Sequence, residues 1–572
     1  MSQSNAPQPG QPDDLSITID GEVVAARPGT TVAAALMASG RDSWRRTRFG
    51  DRPRGVFCGI GACFDCLVTV NDLSDVRACQ RTLAPGDTIT TTPGVPSSVR
   101  IRPADSAPDT SRGGFGPMTA NPVVVVGAGP AGMAAALAAA DAGAPVVLVD
   151  TAPAVGGQYH RQLPEAANQP AATDFAKTRE RIRQHANLTH LAETSVWALE
   201  PAPNGHRLHL QTGPADASNR QLTTIDTPAL VLATGAYDRA LPFPGWDLPG
   251  VYTAGAAQAL AKGQGVAVGK RVLLAGTGPF LLPVAESLLK VGARPIELLE
   301  ANHLTTMARG WLADPLVARG KFREGVGYAA TIARHRIPVR HGQTVVAAHG
   351  TDRVEAVTVA KLDRDWRIVP GSERRVEVDA VCVGFGFTPN LDLAVTAGCA
   401  LDPFVVVDDH QRTSVPGVLA AGEVTGIAGA VPSAAEGRVA GKTAAALLGL
   451  PIEPSPAESK AVARGKRFGH ALAKAYPVPD GWQTWLTDDT IVCRCEEVTC
   501  ATIRQADAEG LRALKLTTRA GLGLCQGRVC ARAVQTLATS LSAEDLGANR
   551  PIVVPVRLGD LAAAPTEPVE GK

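Results

Sequence analysis

The chain has 572 residues, enough for about three to five domains. Hydrophobic residues make up 45% and charged residues 19%, a globular balance with ample material for large cores. Its 56 Lys and Arg nearly cancel 55 Asp and Glu, so the global basic footprint of a nucleic-acid-binding protein is missing and no nucleic-acid partner is expected.

The first fourteen residues, MSQSNAPQPGQPDD, are polar, rich in Pro and Gln, and lack an apolar core. They predict a disordered leader (1–14), not a signal peptide. Residues 15–40 hold an Asp20-Gly21 turn between alternating segments, then TVAAALMAS ending at Gly40. That pattern predicts a hairpin followed by a helix. This opening resembles the β-grasp fold of plant-type ferredoxins, which would occupy 15–91.

Eleven cysteines in a chain with no export signal are expected to be metal ligands or core residues, not disulfides. Eight fall into two tight groups near the ends, leaving Cys382, Cys399 and Cys500 over. The first group, Cys58, Cys63, Cys66 and Cys79, is spaced C-x4-C-x2-C-x12-C. Plant-type [2Fe–2S] sites begin with this loop, in which three thiolates wrap a small cluster. Gly59 and Gly61 would let backbone N–H groups approach the sulfurs. A zinc site usually pairs its cysteines as C-x2-C twice, which the x4 gap does not match.

Residues 92–117, rich in Pro, Ser and Gly, predict a linker. From about 120 to 450 the pattern alternates β and α with two glycine-rich strand–turn–helix signals. This predicts an α/β core of two nucleotide-binding domains. The apolar run VVVVGAGPAGMAAALAAADAGAPVVLV is broken by glycines, Pro130 and Asp141. It reads as a βαβ unit, not a membrane span, and the protein is expected in the cytoplasm. In that unit Gly127, Gly129, Pro130, Ala131 and Gly132 follow a strand, and Asp150 ends the next one. Gly127 would permit the turn, Gly129 the approach of a pyrophosphate and Gly132 the packing of helix on strand. Asp150 would accept from ribose hydroxyls.

This region resembles flavoproteins with two dinucleotide-binding domains, which implies FAD. Three further segments carry that resemblance: Gly156, Gly157 and Gln158 as the loop near the flavin, Thr234 and Gly235 in ALVLATGAYDR, and Gly422 and Glu423 in TSVPGVLAAGE. The family's acidic residue in the last motif is usually Asp, so Glu423 is one methylene longer. Disulfide reductases of this fold keep a redox cysteine pair beside the flavin, and Cys382 and Cys399 do not form one. No catalytic acid or base is nominated: His160 is the nearest candidate, and a histidine there is more often a flavin-pocket or surface residue.

The second signal, KRVLLAGTGPFLLPVAESLLKVGARPIELLE, has Gly276 and Gly278 in place and Glu300 ending the next strand, but Leu281 stands where a third glycine belongs. Leu281 is expected to crowd the helix–strand contact. The site could take NAD(H), an adenine nucleotide held for structure, or nothing. The expected divisions are an FAD-binding domain in two parts (118–242 and 379–450), a second nucleotide-binding domain (243–378), a connection (451–487) and a C-terminal domain (488–572).

The second cysteine group pairs Cys493 and Cys495 with Cys525 and Cys530, spaced C-x-C and C-x4-C across 29 residues. It resembles the helical [2Fe–2S] domain of bacterioferritin-associated ferredoxin in the version fused to amine-oxidising flavoproteins. Arg494, Lys515, Arg519 and Arg528 would offset the negative cluster, and Thr499 is a candidate N-cap. The order of domains resembles, over nearly the whole chain, the large subunit of bacterial heteromeric amine-oxidising dehydrogenases: octopine and nopaline oxidases, hydroxyproline and proline dehydrogenase complexes, and hydrogen cyanide synthase. The resemblance implies two [2Fe–2S] clusters, FAD, a further flavin at a partner interface, and a partner flavoprotein of the D-amino-acid-oxidase type. In that arrangement a small amine, imino acid or opine is oxidised on the partner, and electrons cross this chain to an external acceptor. An NAD(P)H-fed reductase and a scaffold subunit with structural clusters are the alternatives.

Overall fold

A computed structural model describes residues 14–91, 121–163, 173–218, 220–318, 322–538 and 552–562. The expected leader, apart from Asp14, and the expected linker 92–117 lie outside the described residues.

The N-terminal unit is a five-stranded sheet in the order Glu22–Ala26, Leu15–Ile19, Thr88–Thr90, Leu67–Val70, Leu73–Arg77. Asp20 and Gly21 take positive φ values of 50° and 89° at the first hairpin, the geometry that an Asp-Gly turn supplies. The helix Val32–Ala38 is capped by the Thr31 side chain, which accepts from Ala34 N. Its buried Val32, Ala33, Ala35 and Leu36 join Ile17, Ile19, Val68 and Ile89 in one core. This is the β-grasp arrangement.

The first nucleotide-binding unit is a parallel sheet in the order Leu188–Leu191, Val146–Val149, Val123–Val126, Ala229–Leu232, Val418–Ala420. Its central strands are apolar on both faces, as a parallel sheet covered on both sides requires. The helices Pro130–Asp141 and Ala430–Leu447 pack together on it. A Cβ on Gly437 or Gly441 would lie 2.1 Å from Ala131 O or 2.2 Å from Ala135 O, so these two glycines let the helices close to backbone contact.

The second unit is a parallel sheet in the order Val251–Thr253, Ala380–Phe385, Arg271–Thr277, Arg294–Glu300, Val339–His341. Ala380–Phe385 is hydrogen bonded between two strands of this sheet. The chain therefore crosses back to the first unit after that strand, a few residues beyond the boundary expected at 379. The crossing is made by the paired strands Ala236–Asp238 and Phe387–Pro389.

The stretch read as a connection from 451 to 487 contains a helix, Pro456–Ala475. Its start is specified locally: Ser455 and Glu458 form a capping box and Pro456 occupies the first turn. Beyond it, the hairpin of Ile491–Cys493 and Val498–Thr499 leads into helices Cys500–Arg504, Gly510–Thr518 and Ala531–Leu537. Thr499 caps the first of them by accepting from Thr502 N. Among the described residues no helix is long and apolar enough to cross a membrane.

Candidate redox site

In the first glycine loop, backbone packing dictates residue identity. Gly127 has φ 105°, and a Cβ there would lie 2.3 Å from Ala233 O. A Cβ on Gly132 would lie 1.7 Å from Gly127 O, so only glycine lets this helix turn approach the strand. Gly129, by contrast, has nothing within 4 Å of its Cβ position. It caps the helix Pro130–Asp141 without a side-chain hydrogen bond, leaving its N-terminal dipole open to a pyrophosphate. Gly157 lies over this loop, with its Cβ position 2.8 Å from Gly129 Cα.

Asp150 binds the loop itself: its Oδ2 accepts from Ala128 N at 2.5 Å and its Oδ1 from Ala152 N at 2.7 Å. Burial pushes its carboxyl up while those two N–H groups pull it down. The His160 ring stacks on Phe175 with centroids 4.2 Å apart and planes 6° from parallel, a packing role.

The return motif is built on a residue that sequence reasoning missed. Gly422, at φ 86°, has its Cβ position 2.7 Å from Ala131 Cβ, against the first helix. Its N–H donates to Glu436 Oε2 at 2.8 Å, and the Thr425 hydroxyl donates to the same oxygen at 2.7 Å. Glu436 is buried in the helix Ala430–Leu447. Burial and the neighbouring Glu436 push the Glu423 carboxyl up to about 7, against a hydrogen bond from Gly429 N. The signal for Glu436 was a single acid inside a helix of alanines and glycines. Thr234 and Gly235 lie at the crossing between units, where Thr234 Oγ1 donates to Asn390 O at 2.7 Å and Asn390 N donates to Gly235 O at 2.9 Å.

The second glycine loop has the same frame with its acid turned inward. Gly276 needs its glycine, since a Cβ would lie 1.8 Å from Gly384 O, and Gly278 is open on its Cβ side. Glu300 accepts from Thr277 Oγ1 at 2.6 Å and Gly278 N at 2.9 Å, and also from Asn302 N at 2.9 Å. Leu281 does not crowd the contact as expected. It is buried and lies in ordinary contact distance of the facing strand, with the Cβ position of Gly384 3.6 Å from Leu281 Cδ2.

The thiols of each cysteine group converge. In the first, Cys58 contacts the side chains of Cys63 and Cys79, and Cys79 also contacts Cys66. All four are buried. Backbone N–H groups point at sulfur: Cys63 N lies 3.4 Å from Cys58 Sγ, and Cys79 N 3.4 Å from Cys66 Sγ. Gly59 and Gly61 have φ of 63° and 76°, the turn this loop needs. In the second group Cys495 Sγ lies 3.8 Å from Cys493 Sγ and 3.7 Å from Cys525 Sγ, and Cys530 contacts Cys493. Each set is all-thiol and buried or nearly so, and N–H donors are aimed at sulfur in both. That donor chemistry would suit a [2Fe–2S] cluster, which Cys58, Cys63, Cys66 and Cys79 would hold in the first group and Cys493, Cys495, Cys525 and Cys530 would hold in the second.

Three arginines expected to offset the second cluster each have a carboxylate partner: Arg494 with Asp65 at 2.7 Å, Arg519 with Glu496 at 2.8 Å and Arg528 with Asp392 at 2.6 Å. The first of these pairs joins the two cysteine groups, because Asp65 lies between Cys63 and Cys66 while Arg494 lies between Cys493 and Cys495. Cys58 also lines a small cavity with Tyr237, Asp238 and Val529. Asp238, whose carboxyl burial pushes up to about 6, is a member of the crossing strand. The cysteine loops thus sit at the junction of ferredoxin, nucleotide-binding and C-terminal units. Cys382 and Cys399 are separate: Cys382 is inside the second sheet and Cys399 lies 3.6 Å from Thr413 Oγ1.

Together the two parallel sheets with their glycine loops and the ferredoxin unit define an FAD-binding oxidoreductase with an N-terminal [2Fe–2S] domain. Residues 121–437 match the model of the pyridine nucleotide-disulphide oxidoreductase family, and residues 13–94 that of the 2Fe-2S iron-sulfur cluster binding domain. An opine oxidase subunit of Agrobacterium tumefaciens (strain Ach5) is 33% identical over 77% of this chain and 92% of its own length. The HcnB subunit of hydrogen cyanide synthase from Pseudomonas aeruginosa is 34% identical over 71% and 90%. The sarcosine oxidase alpha subunit of Rhizobium meliloti (strain 1021) is 26% identical over 99% of this chain and 60% of its own. The crystal structure of L-proline dehydrogenase from P. horikoshii shares the fold at a TM-score of 0.66 and 19% identity, covering 97% of this chain and 98% of that one. The chain belongs to the pyridine nucleotide-disulphide oxidoreductase family, among the subunits of heteromeric flavin- and iron–sulfur-dependent oxidases and dehydrogenases.

Proposed function

We propose that this chain is the electron-transfer subunit of a heteromeric dehydrogenase or oxidase acting on CH–NH or CH–NH2 donors. A small amine, imino acid or opine is oxidised on a partner flavoprotein of the D-amino-acid-oxidase type, with a further flavin at their interface. The electrons reach this chain's FAD and two [2Fe–2S] clusters and pass to an external acceptor. The observation that supports this reading is the junction of the two cysteine loops beside the crossing strands, which brings both thiol groups and the nucleotide units edge to edge. The redox chemistry belongs to the cofactors, and the protein contributes placement and local charge.

Gly127, Gly129, Pro130, Ala131 and Gly132 would hold the FAD pyrophosphate, with Gly157, Gln158, Thr234 and Gly235 along its length and Gly422 and Glu423 at the ribityl end. Asp150 orders the glycine loop through Ala128 N and retains lone pairs for ribose hydroxyls. At the second loop Glu300 is engaged by Thr277, Gly278 and Asn302. An adenine nucleotide or NAD(H) there would rest mainly on the open backbone of Gly278 and the helix N-terminus.

The second reading is an NAD(P)H-fed reductase, favoured by that same open Gly278. Anaerobic titration of the holoprotein separates the two. Rapid bleaching of flavin and cluster absorbance by NADH or NADPH overturns the partner-subunit reading. The expected result is reduction by a chemical reductant alone, with reduction by amines or opines gained on adding the partner flavoprotein.

A further inference from the structure

The two cysteine loops are more than 400 residues apart in sequence, yet they interlock through two consecutive positions of one, Phe64 and Asp65, and both cysteine pairs of the other. Phe64, between Cys63 and Cys66, has a backbone φ of 61°, a left-handed conformation that is unusual for a bulky side chain. That backbone turns its ring into a small buried cluster with Leu67, Cys525, Cys495 and Val529. The Arg77 guanidinium lies 4.7 Å above the same ring.

Asp65, next in sequence, is buried, and so is Arg494. Asp65 Oδ2 accepts from Arg494 Nε at 2.8 Å and Nη2 at 2.7 Å. The guanidinium carbon also lies over the Phe57 and Trp246 rings, 4.0 and 4.9 Å from their centroids. Its Nη1 donates to Trp246 O at 2.5 Å. Glu497, after the hairpin's second cysteine, accepts from Thr47 Oγ1 at 2.7 Å and Gly50 N at 2.8 Å. Neither loop can shift without breaking a buried charged contact.

We propose that Phe64 and the Asp65–Arg494 pair are positioning residues that lock the two cysteine loops into one two-cluster unit, whose clusters exchange electrons directly and share this buried charge pair. The inference rests on the reading that both thiol groups carry [2Fe–2S] clusters. The exchange is one electron from a reduced cluster to its oxidised neighbour, with no bond or proton moved. A charge pair buried in a low dielectric acts on both clusters at once.

The test uses the full-length holoprotein, reduced anaerobically with dithionite and followed by iron analysis and electron paramagnetic resonance. The expected wild-type result is four irons per chain and a fully reduced spectrum broadened by spin–spin interaction, with fast relaxation. In Cys525→Ser, two irons and a sharp, unbroadened spectrum are expected. Two irons in the wild type overturn the two-cluster reading and this inference with it. Four irons with two non-interacting spectra overturn this inference alone.

A second measurement addresses the pair. Asp65→Asn keeps the side-chain shape and removes the anion, leaving Arg494 uncompensated, so both cluster midpoint potentials are expected to rise in a redox titration. A shift confined to one cluster, or to neither, overturns the shared-pair assignment. The wild-type spectrum decides whether the two clusters form one interacting unit even where the variant folds poorly.

Discussion

Glu436 accepts the backbone N–H of Gly422 at 2.8 Å, so the turn that returns the chain to the flavin domain hangs on a carboxylate 14 residues downstream. The adjacent Glu423 is raised to about 7 by burial and by Glu436. Because its folded value lies above the 4.5 of an unperturbed glutamic acid, the folded state binds the extra proton between those values. Stability from this group is therefore present at low pH and lost as pH rises through about 7. The melting temperature should fall from pH 5 to pH 8, and Glu423→Gln should flatten that slope. Parallel slopes in the two proteins would refute the assignment.

Gly132→Ala places a methyl group 1.7 Å from Gly127 O, a clash with backbone that no rotamer relieves. The expected outcome is a chain that folds poorly or emerges without flavin, measured as visible absorbance per chain. Gly129→Ala meets nothing in the protein, so its loss should appear as weaker FAD retention with an unchanged fold, read by circular dichroism.

Cysteines inside and outside the two groups should behave differently. Cys58→Ser removes a thiol from a four-thiol set and should lower bound iron by half while the flavin stays. Cys382→Ser puts a hydroxyl into the middle of the second sheet. It should leave iron untouched and cost about 1–3 kcal/mol of stability for an unsatisfied buried group. A folded Cys58→Ser chain that no longer relays electrons supports a relay, whereas global unfolding supports purely structural clusters.

Leu281 fills the space opposite Gly384. Leu281→Ala should destabilise the chain by about 2–5 kcal/mol through the cavity it leaves, measured by urea unfolding. Gly384→Ala sets a Cβ 3.0 Å from Ala254 Cβ and should also destabilise. A neutral result for both would mean the sheet and helix are not held at this contact.

What the sequence determined by itself was local. The spacing of Cys58, Cys63 and Cys66 specifies one loop, and Gly127, Gly129 and Gly132 specify one turn. A hairpin follows from Asp20-Gly21 and a helix start from Thr31. Each depends on residues within a few positions of one another, where backbone sterics and spacing act directly. The tertiary structure decided what lies beside what. The helix in 451–487 was legible only in its Ser455–Glu458 box, and its apolar face is set by the helices it packs against. Leu281 is accommodated against a strand more than 100 positions away, and Glu436 serves a turn on another element. Asp65 and Arg494 meet across 429 positions. No periodicity encodes such pairs, because burial of charge and the fit of surfaces exist only once the units have packed.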